Sequence, residues 1–398
     1  KKGNIALYGA GSKLTIKGGT GSGEVNERYS VNIYDGLVNH GFNITTDSWI
    51  NDLMKDYELV LEDFKERTKF NLFKMKDLIN IMGTPISYPV GRAITDEDVE
   101  KSETDTAIYI VSRQAGEGLD KRISSGDFDL RDGEVEHIKK LVSSYKNVVL
   151  VINSGSSMNV KVADDLGVNA IIYFSMQGCE GGNAFADIIL GNVCPSGKLT
   201  DSWAKDYNDL PFANEYSYLK GNVTVGQRND ELYKEDIYVG YRYFDSFKVE
   251  PKFCFGFGLS YSEFEISPLS IKYTDGVFET VVNVKNKGEY RGKEVVQIYC
   301  SCPSGKLTKE YQRLVAFKKT KLLNPGEEEE LKITFCIREL ASYSVDDSAF
   351  ILEPGDYKFR IGNSSRDTKL SFVGKLNKEI IYSNNKNILN KDNRVGDY

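Results

Sequence analysis

The chain has 398 residues, 40% apolar and 27% charged, a composition that fits about two or three globular domains and excludes a disordered chain, a collagen-like chain and a small disulfide scaffold. Lys and Arg number 51 against 58 Asp and Glu, and the net charge of −7, with no Lys/Arg block, argues against nucleic acid as a partner. Two histidines, His40 and His137, are too few for a histidine-built metal site, and the longest apolar runs, 148–152 and 170–174, fall far short of the roughly 18 residues that span a bilayer.

In chain order, residues 4–8 (NIALY) read as a strand, followed by a glycine-rich stretch, 17–23 (KGGTGSG). Glycines let backbone N–H groups approach a ligand closely. The spacing is neither GxGxxG nor a P-loop, so on pattern alone a plain turn is somewhat favoured over a ligand contact. Asp47-Ser48-Trp49 and, later, Asp201-Ser202-Trp203 mark element ends, with each Trp as a packing residue. Residues 106–112 (TAIYIVS) form an apolar, β-branched strand. A few residues beyond it stands Glu117 between Gly116 and Gly118, with Lys121 and Arg122 nearby. Ligands of open α/β sheets bind at that edge. The small neighbours leave the Glu117 carboxyl reachable, although a solvated acidic turn would look the same.

Residues 133–146 follow with helical spacing: Val135, Ile138, Leu141, Val142 and Tyr145 share a face, and His137 is expected on the surface. Then come a strand at 147–153 (NVVLVIN), a short helix at 160–166, a strand at 169–176 and a helix at 180–190. Ser154-Gly155-Ser156-Ser157 lacks a GxSxG setting and a His partner. The β-α-β-α-β order, with strands apolar on both faces, predicts an α/β fold: a three-layer α/β/α sandwich on a mostly parallel sheet. This first domain is placed at 1–205.

Residues 206–262 have little periodicity and are read as an inter-domain connection whose aromatics pack between domains or stack on sugars. From 263 to 374 the chain is all β, with strands at 269–273, 277–284, 293–300, 314–319, 329–336, 349–352 and 355–361 separated by Pro-Gly turns. That count fits a second, all-β sandwich. Residues 375–398 read as a polar linker or tail. Six cysteines without a CxxC pair read as free buried thiols, with Cys300 and Cys302 on one strand face. Together with the lack of a visible leader they point to a cytoplasmic protein, although a removed leader would leave the same sequence.

The runs IALYGAG, IKGGTGSGEVNERY, SRQAGEGLDKR, PSGKLT, EDIYVGYRYFDSF and FGFGLSYSEF, taken in this order, resemble glycoside hydrolase family 3, and more narrowly its β-glucosidases. KEVVQIYCSCPSG, FKKTKLLNPGE and EPGDYKFRIGNSSRD are similar to the fibronectin type III-like domain found in these enzymes. The resemblance covers nearly all of residues 4–374.

It implies a general acid/base Glu at Glu117, carried on a loop of the α/β sandwich, and a sugar contact from Ser22. It also implies an Asp nucleophile on a (β/α) barrel. No barrel-length block of β/α repeats occurs in the sequence, and the order of domains resembles the subset of the family in which the sandwich and fibronectin-like domain precede the barrel. The expected activity is retaining, exo-acting hydrolysis of β-glucosides or cello-oligosaccharides, with the barrel supplied by the same gene product or by a second chain. β-Xylosidase, exo-glucanase and a non-catalytic carbohydrate-binding or docking module are the alternatives. No cofactor and no metal are expected, since two carboxylates suffice. Association into a homo-oligomer is left open.

Overall fold

Runs of Val, Ile, Leu and Tyr become the centre of a parallel sheet. Its strands are β1 (Asn4–Tyr8), β2 (Asn43–Ile44), β3 (Thr106–Arg113), β4 (Asn147–Ser154) and β5 (Ala170–Tyr173). Their order is β2-β1-β3-β4-β5 and every neighbouring pair is parallel. Every residue of β3 from Ala107 to Arg113 is buried, as a strand covered on both faces requires. The computed structural model describes residues 3–19, 25–67, 86–114, 123–215 and 233–386. Ser22 and Glu117 lie outside the described residues.

Helices α1 (Ile33–Asn39), α2 (Asp47–Arg67), α3 (Asp96–Ser102), α4 (Asp132–Ser144), α5 (Lys161–Leu166) and α6 (Gly181–Leu190) connect and cover the strands. The last three match the periodic segments of the sequence, and the first three are additional. Their starts are built by short polar side chains. Asn32 caps α1 by accepting the Asp35 N–H at 2.8 Å, and Thr95 with Asp98 forms a capping box on α3. Helix α2 buries only Trp49, Ile50 and Leu53, all in its first two turns. The remaining turns are polar, which weakens any periodic signal.

Helices α1 and α6 meet backbone to backbone. A Cβ on Gly182 would stand 1.9 Å from the Asn32 carbonyl oxygen, and one on Gly36 would stand 2.1 Å from the Gly182 backbone. On α4 the stripe that faces the sheet includes His137, which is buried and not on the surface as the sequence suggested. Its Nδ1 lies 3.1 Å from the Tyr109 hydroxyl, and its ring stands edge-on to Trp49 with centroids 5.6 Å apart. The polar ring is tolerated there because both nitrogens are engaged, the second through the Arg92 backbone.

The chain divides into two compact units: residues 1–193 with 204–233, and residues 194–203 with 234–398. In the second unit, residues 194–203 pair with residues 252–257 through Leu199, Trp203, Lys252 and Gly256. A short helix, α7 (Tyr241–Ser246), precedes the strands.

Here β6 (Phe264–Thr274), β7 (Val277–Asn286) and β10 (Glu328–Cys336) form one antiparallel sheet. Strands β8 (Val295–Ser301), β9 (Arg313–Lys319), β13 (Gly355–Gly362) and β14 (Thr368–Leu376) form another. Alternate residues of β7 and β10 point inward, among them Val282, Val284, Leu331 and Ile333. They meet Val296, Ile298, Phe359 and Ile361 of the facing sheet. Phe278 and Phe335 stack with centroids 4.9 Å apart. A third small sheet joins β11 (Ser342–Ser344), β12 (Ala349–Leu352) and β15 (Ile380–Asn384). Strand β15 lies in the stretch that the sequence presented as a polar tail.

Two outcomes follow from the packing of the first unit. Gly182→Ala drives a methyl into backbone that cannot yield, and chemical denaturation of the purified chain is expected to show a loss of about 1–3 kcal/mol; wild-type stability would mean that α1 and α6 do not touch in solution. Burial pushes the His137 imidazole below its ordinary 6.5. Below that value the unfolded chain binds a proton that the folded chain refuses, so the contribution is complete above pH 6.5 and is lost as pH falls through the window beneath it. Denaturation midpoints of wild type minus His137→Gln, taken between pH 8 and pH 5, should therefore decline with acid.

Candidate active site

In a parallel sheet ordered 2-1-3-4-5, the chain leaves β1 toward one edge and β3 toward the other. The connections after β1 and β3 therefore lead to opposite sides of the switch point, the place at the carboxyl ends of the strands where ligands of such sheets bind. Those two loops carry Ser22 and Glu117. The described residues that flank them come together. Gln114, the last described residue before 115–122, donates from Nε2 to the Gly18 carbonyl, just before 20–24, at 3.4 Å. Tyr88 approaches the same Gln114 through its hydroxyl at 3.4 Å.

The stem of the glycine loop is fixed by Asn153, next to last in β4 and fully buried. Its amide oxygen accepts the Ile16 N–H at 2.6 Å and the Ser112 hydroxyl at 3.0 Å. Its amide nitrogen donates to the Ile16 carbonyl at 3.0 Å and to the Ser175 carbonyl at 2.6 Å. One side chain thus joins the loops after β1 and β5 to the end of β3, with all four of its hydrogen-bonding positions filled. Lys17 is held further by the Gly178 N–H, which donates to its carbonyl at 2.9 Å, and it forms an ion pair with Glu27 across 20–24.

The stem of 115–122 is fixed by charge. Arg113, the last residue of β3, pairs with Glu134 in the first turn of α4, and both are buried. The carboxylate also accepts the Arg131 N–H at 2.8 Å, where α4 begins. Near the rim, the Tyr29 hydroxyl donates to Glu180 at 2.6 Å, and this bond draws the Glu180 carboxyl below its usual range.

The described flanks of both connections thus meet at the carboxyl edge of the sheet, where ligands of such sheets bind. Neither Asn153 nor the Arg113–Glu134 pair was singled out in the sequence. The available signals were a polar residue near the end of the apolar run NVVLVIN and a Glu at the third position of a helix. Among the described residues no group of three or more His, Cys, Asp or Glu could hold a metal ion, and no helix is long and apolar enough to cross a membrane. Ser154 is buried at the end of β4, and Trp49 and Trp203 are both packing residues.

The model of the glycosyl hydrolase family 3 C-terminal domain matches residues 1–241, and that of a fibronectin type III-like domain matches residues 294–365. The chain is 36% identical to a beta-glucosidase of Ruminococcus albus, over 90% of this chain and 36% of that protein. It is 32% identical to beta-glucosidase A of Butyrivibrio fibrisolvens, over 95% and 48%. Among solved structures it is similar to beta-glucosidase 3B from Thermotoga neapolitana in complex with alpha-D-glucose. That match has a TM-score of 0.79 and 34% identity, covering 96% of this chain and 51% of the other. The corresponding figures for a beta-glucosidase from Paenibacillus barengoltzii are 0.82, 32%, 96% and 41%. The chain thus spans between about a third and a half of the length of these proteins.

Asn153→Asp keeps the shape of the central side chain but replaces its two donors with an acceptor that faces the carbonyls of Ile16 and Ser175. Each buried group left unsatisfied costs about 1–3 kcal/mol. A loss of about 2 kcal/mol or more in chemical denaturation is expected, with faster proteolytic cleavage near residues 16–25. An unchanged midpoint would show that Asn153 does not hold these loops.

Proposed function

This chain belongs to glycosyl hydrolase family 3, and from that premise we propose that it forms the acid/base half of a retaining, exo-acting β-glucosidase that removes terminal non-reducing β-D-glucosyl residues. Glu117 is the general acid/base, Ser22 touches the sugar, and the nucleophile is an Asp on a (β/α) barrel carried by the same gene product or by a second chain. The observation that carries this reading is the meeting of the two loop stems at the switch point of the sheet, through Gln114 and Gly18. The share of its relatives that the chain spans leaves room for the barrel. Their names favour glucosides over the xyloside and glucan alternatives.

The chemistry needs two carboxyl groups about 5–5.5 Å apart. The Asp carboxylate attacks the anomeric carbon, the glycosidic C–O bond breaks, and Glu117 gives its proton to the departing oxygen. Glu117, now a carboxylate, takes a proton from water. The resulting hydroxide equivalent attacks the glycosyl ester, releases glucose with net retention and restores the Asp. Enclosure against the barrel would raise the Glu117 pKa, because burial and a neighbouring carboxylate both disfavour its anion.

Hydrolysis of aryl β-glucosides by the chain together with its barrel tests the proposal. Glu117→Ala should lower the rate on glucosides with poor leaving groups by about 10²–10⁴-fold. The loss should be much smaller with dinitrophenyl glucoside, and azide should restore part of the rate as the glycosyl azide forms. A Glu117→Ala enzyme that cleaves methyl β-glucoside at the wild-type rate would remove Glu117 from the mechanism. Turnover by this chain, free of any barrel polypeptide, would place both carboxylates within residues 1–398.

A further inference from the structure

Strand β8 carries Val296, Ile298 and Cys300 into the core of the second unit, and Cys302, one residue past the end of the strand, packs against the same core. Cys300 is buried and Cys302 is partly exposed. The pair therefore has an outer sulfur that a reagent can reach and an inner one that it cannot.

The outer sulfur stands beside fixed positive charge. Arg313 lies opposite Cys300 on β9, so the two side chains leave the sheet on the same face. The Arg313 guanidinium donates to the Ala341 carbonyl at 2.8 Å and to the Ser342 hydroxyl at 3.0 Å, and the Cys302 Sγ lies 3.5 Å from the adjoining Leu340 carbonyl oxygen. Glu310 pairs with Arg313 and Lys309 with Glu353, and the charges of Arg360 and the Tyr357 hydroxyl also act on the two sulfurs. A hydrogen bond from Cys300, with the charges of Arg313 and Lys309, holds the Cys302 thiol below its usual pKa against burial and Glu310; burial pushes Cys300 up. In such a pair the outer thiolate attacks a disulfide and the inner thiol resolves the product.

Two residues of extended chain span about 6.6 Å, and disulfides join Cα atoms about 4.4–6.8 Å apart. A bridge between Cys300 and Cys302 is thus at the upper end of reach, and it needs the strand end at Ser301 to bend. A bridge formed under such strain is easily reduced, as in labile disulfides rather than structural ones.

We propose that Cys300 and Cys302 form a redox site, a dithiol that closes reversibly to an intramolecular disulfide by exchange with a small disulfide of the glutathione type. The Cys302 thiolate attacks one sulfur of oxidised glutathione and breaks its S–S bond. One glutathione leaves as the thiolate and takes up the proton that Cys302 has lost. Cys300 then attacks the Cys302 sulfur of the mixed disulfide, and the second glutathione leaves with the Cys300 proton. Two electrons pass from the cysteine pair to oxidised glutathione, which becomes two reduced molecules. The site lies wholly in the second unit and does not depend on the assignment of Glu117.

The test treats the purified, folded chain with oxidised glutathione, quenches in acid and blocks the remaining thiols with N-ethylmaleimide. Trypsin cleaves after Lys293 and Lys306, so both cysteines fall in one peptide, 294–306. This peptide should lose two hydrogens, carry no maleimide, and return to the dithiol in excess reduced glutathione. Cys300→Ser should stop at a glutathione adduct on Cys302, and Cys302→Ser should leave Cys300 unmodified. Where a serine variant fails to fold, the wild-type peptide alone decides. Two free thiols in peptide 294–306, a glutathione adduct that persists on wild-type Cys302, or a bridge from either residue to another cysteine would overturn the proposal. So would modification of Cys300 in folded Cys302→Ser, or a bridge that forms only after unfolding in urea.

Discussion

The parallel pairing of β1 with β3 is the constraint on which the rest of the first unit depends. Ala6, Leu7 and Tyr8 lie beside Ala107, Ile108 and Tyr109. Immediately beyond, the chain must bend away while still touching its neighbour. Gly9 makes this possible: its φ is +89°, and a Cβ there would stand 2.3 Å from the Ile110 carbonyl oxygen. Any side chain would lift the segment off β3. Because both strands run the same way, their two connections leave from the same edge of the sheet and diverge at the switch point.

The two connections are held at their starts by different physics. Neutral hydrogen bonds from one amide hold the stem of the glycine loop, and an ion pair holds the stem of the other. In both cases the anchoring side chains, Asn153, Arg113 and Glu134, are buried. Buried strands thus fix the points from which both connections depart. The second unit uses the amide device again. Fully buried Asn286 accepts from the Ser262 hydroxyl at 2.7 Å and donates to the carbonyls of Tyr290, at 2.7 Å, and Leu323, at 3.0 Å.

The sheet strands were legible because burial on both faces demands continuous apolar runs, and those at 106–112 and 147–153 have no competing reading. The alternating strands β7 and β10 were legible for the complementary reason, one face in and one out. Helices α1 to α3 were not. Two have only seven residues, and the third buries its apolar face only at its start, so caps and tertiary contacts stabilise them more than a periodic pattern does. His137 shows the limit of reading identity over position. It lies four residues before Leu141 on the buried stripe, but an imidazole is polar, and only the structure reveals the tyrosine that accommodates it. Strand β15 exists by pairing with β12, which nothing in its five residues announces. At the candidate site, glycines and a family likeness pointed to Ser22 and Glu117. Asn153, Arg113 and Glu134 carry no motif, since their meaning comes from partners far away in sequence.

Asn153 gives the molecule a chemical clock. Asparagine followed by serine loses its side-chain ammonia by attack of the next backbone nitrogen, a reaction that needs a mobile chain and a free amide. In the folded protein neither condition is met, because the residue is part of β4 and both amide atoms are engaged. Each excursion to the unfolded state exposes it. Once converted, the residue presents a charge where two carbonyl oxygens require donors, and the same chain no longer closes its loops as before. Deamidation at Asn153 is therefore gated by unfolding, and the damage, once made, is carried into every later attempt to refold.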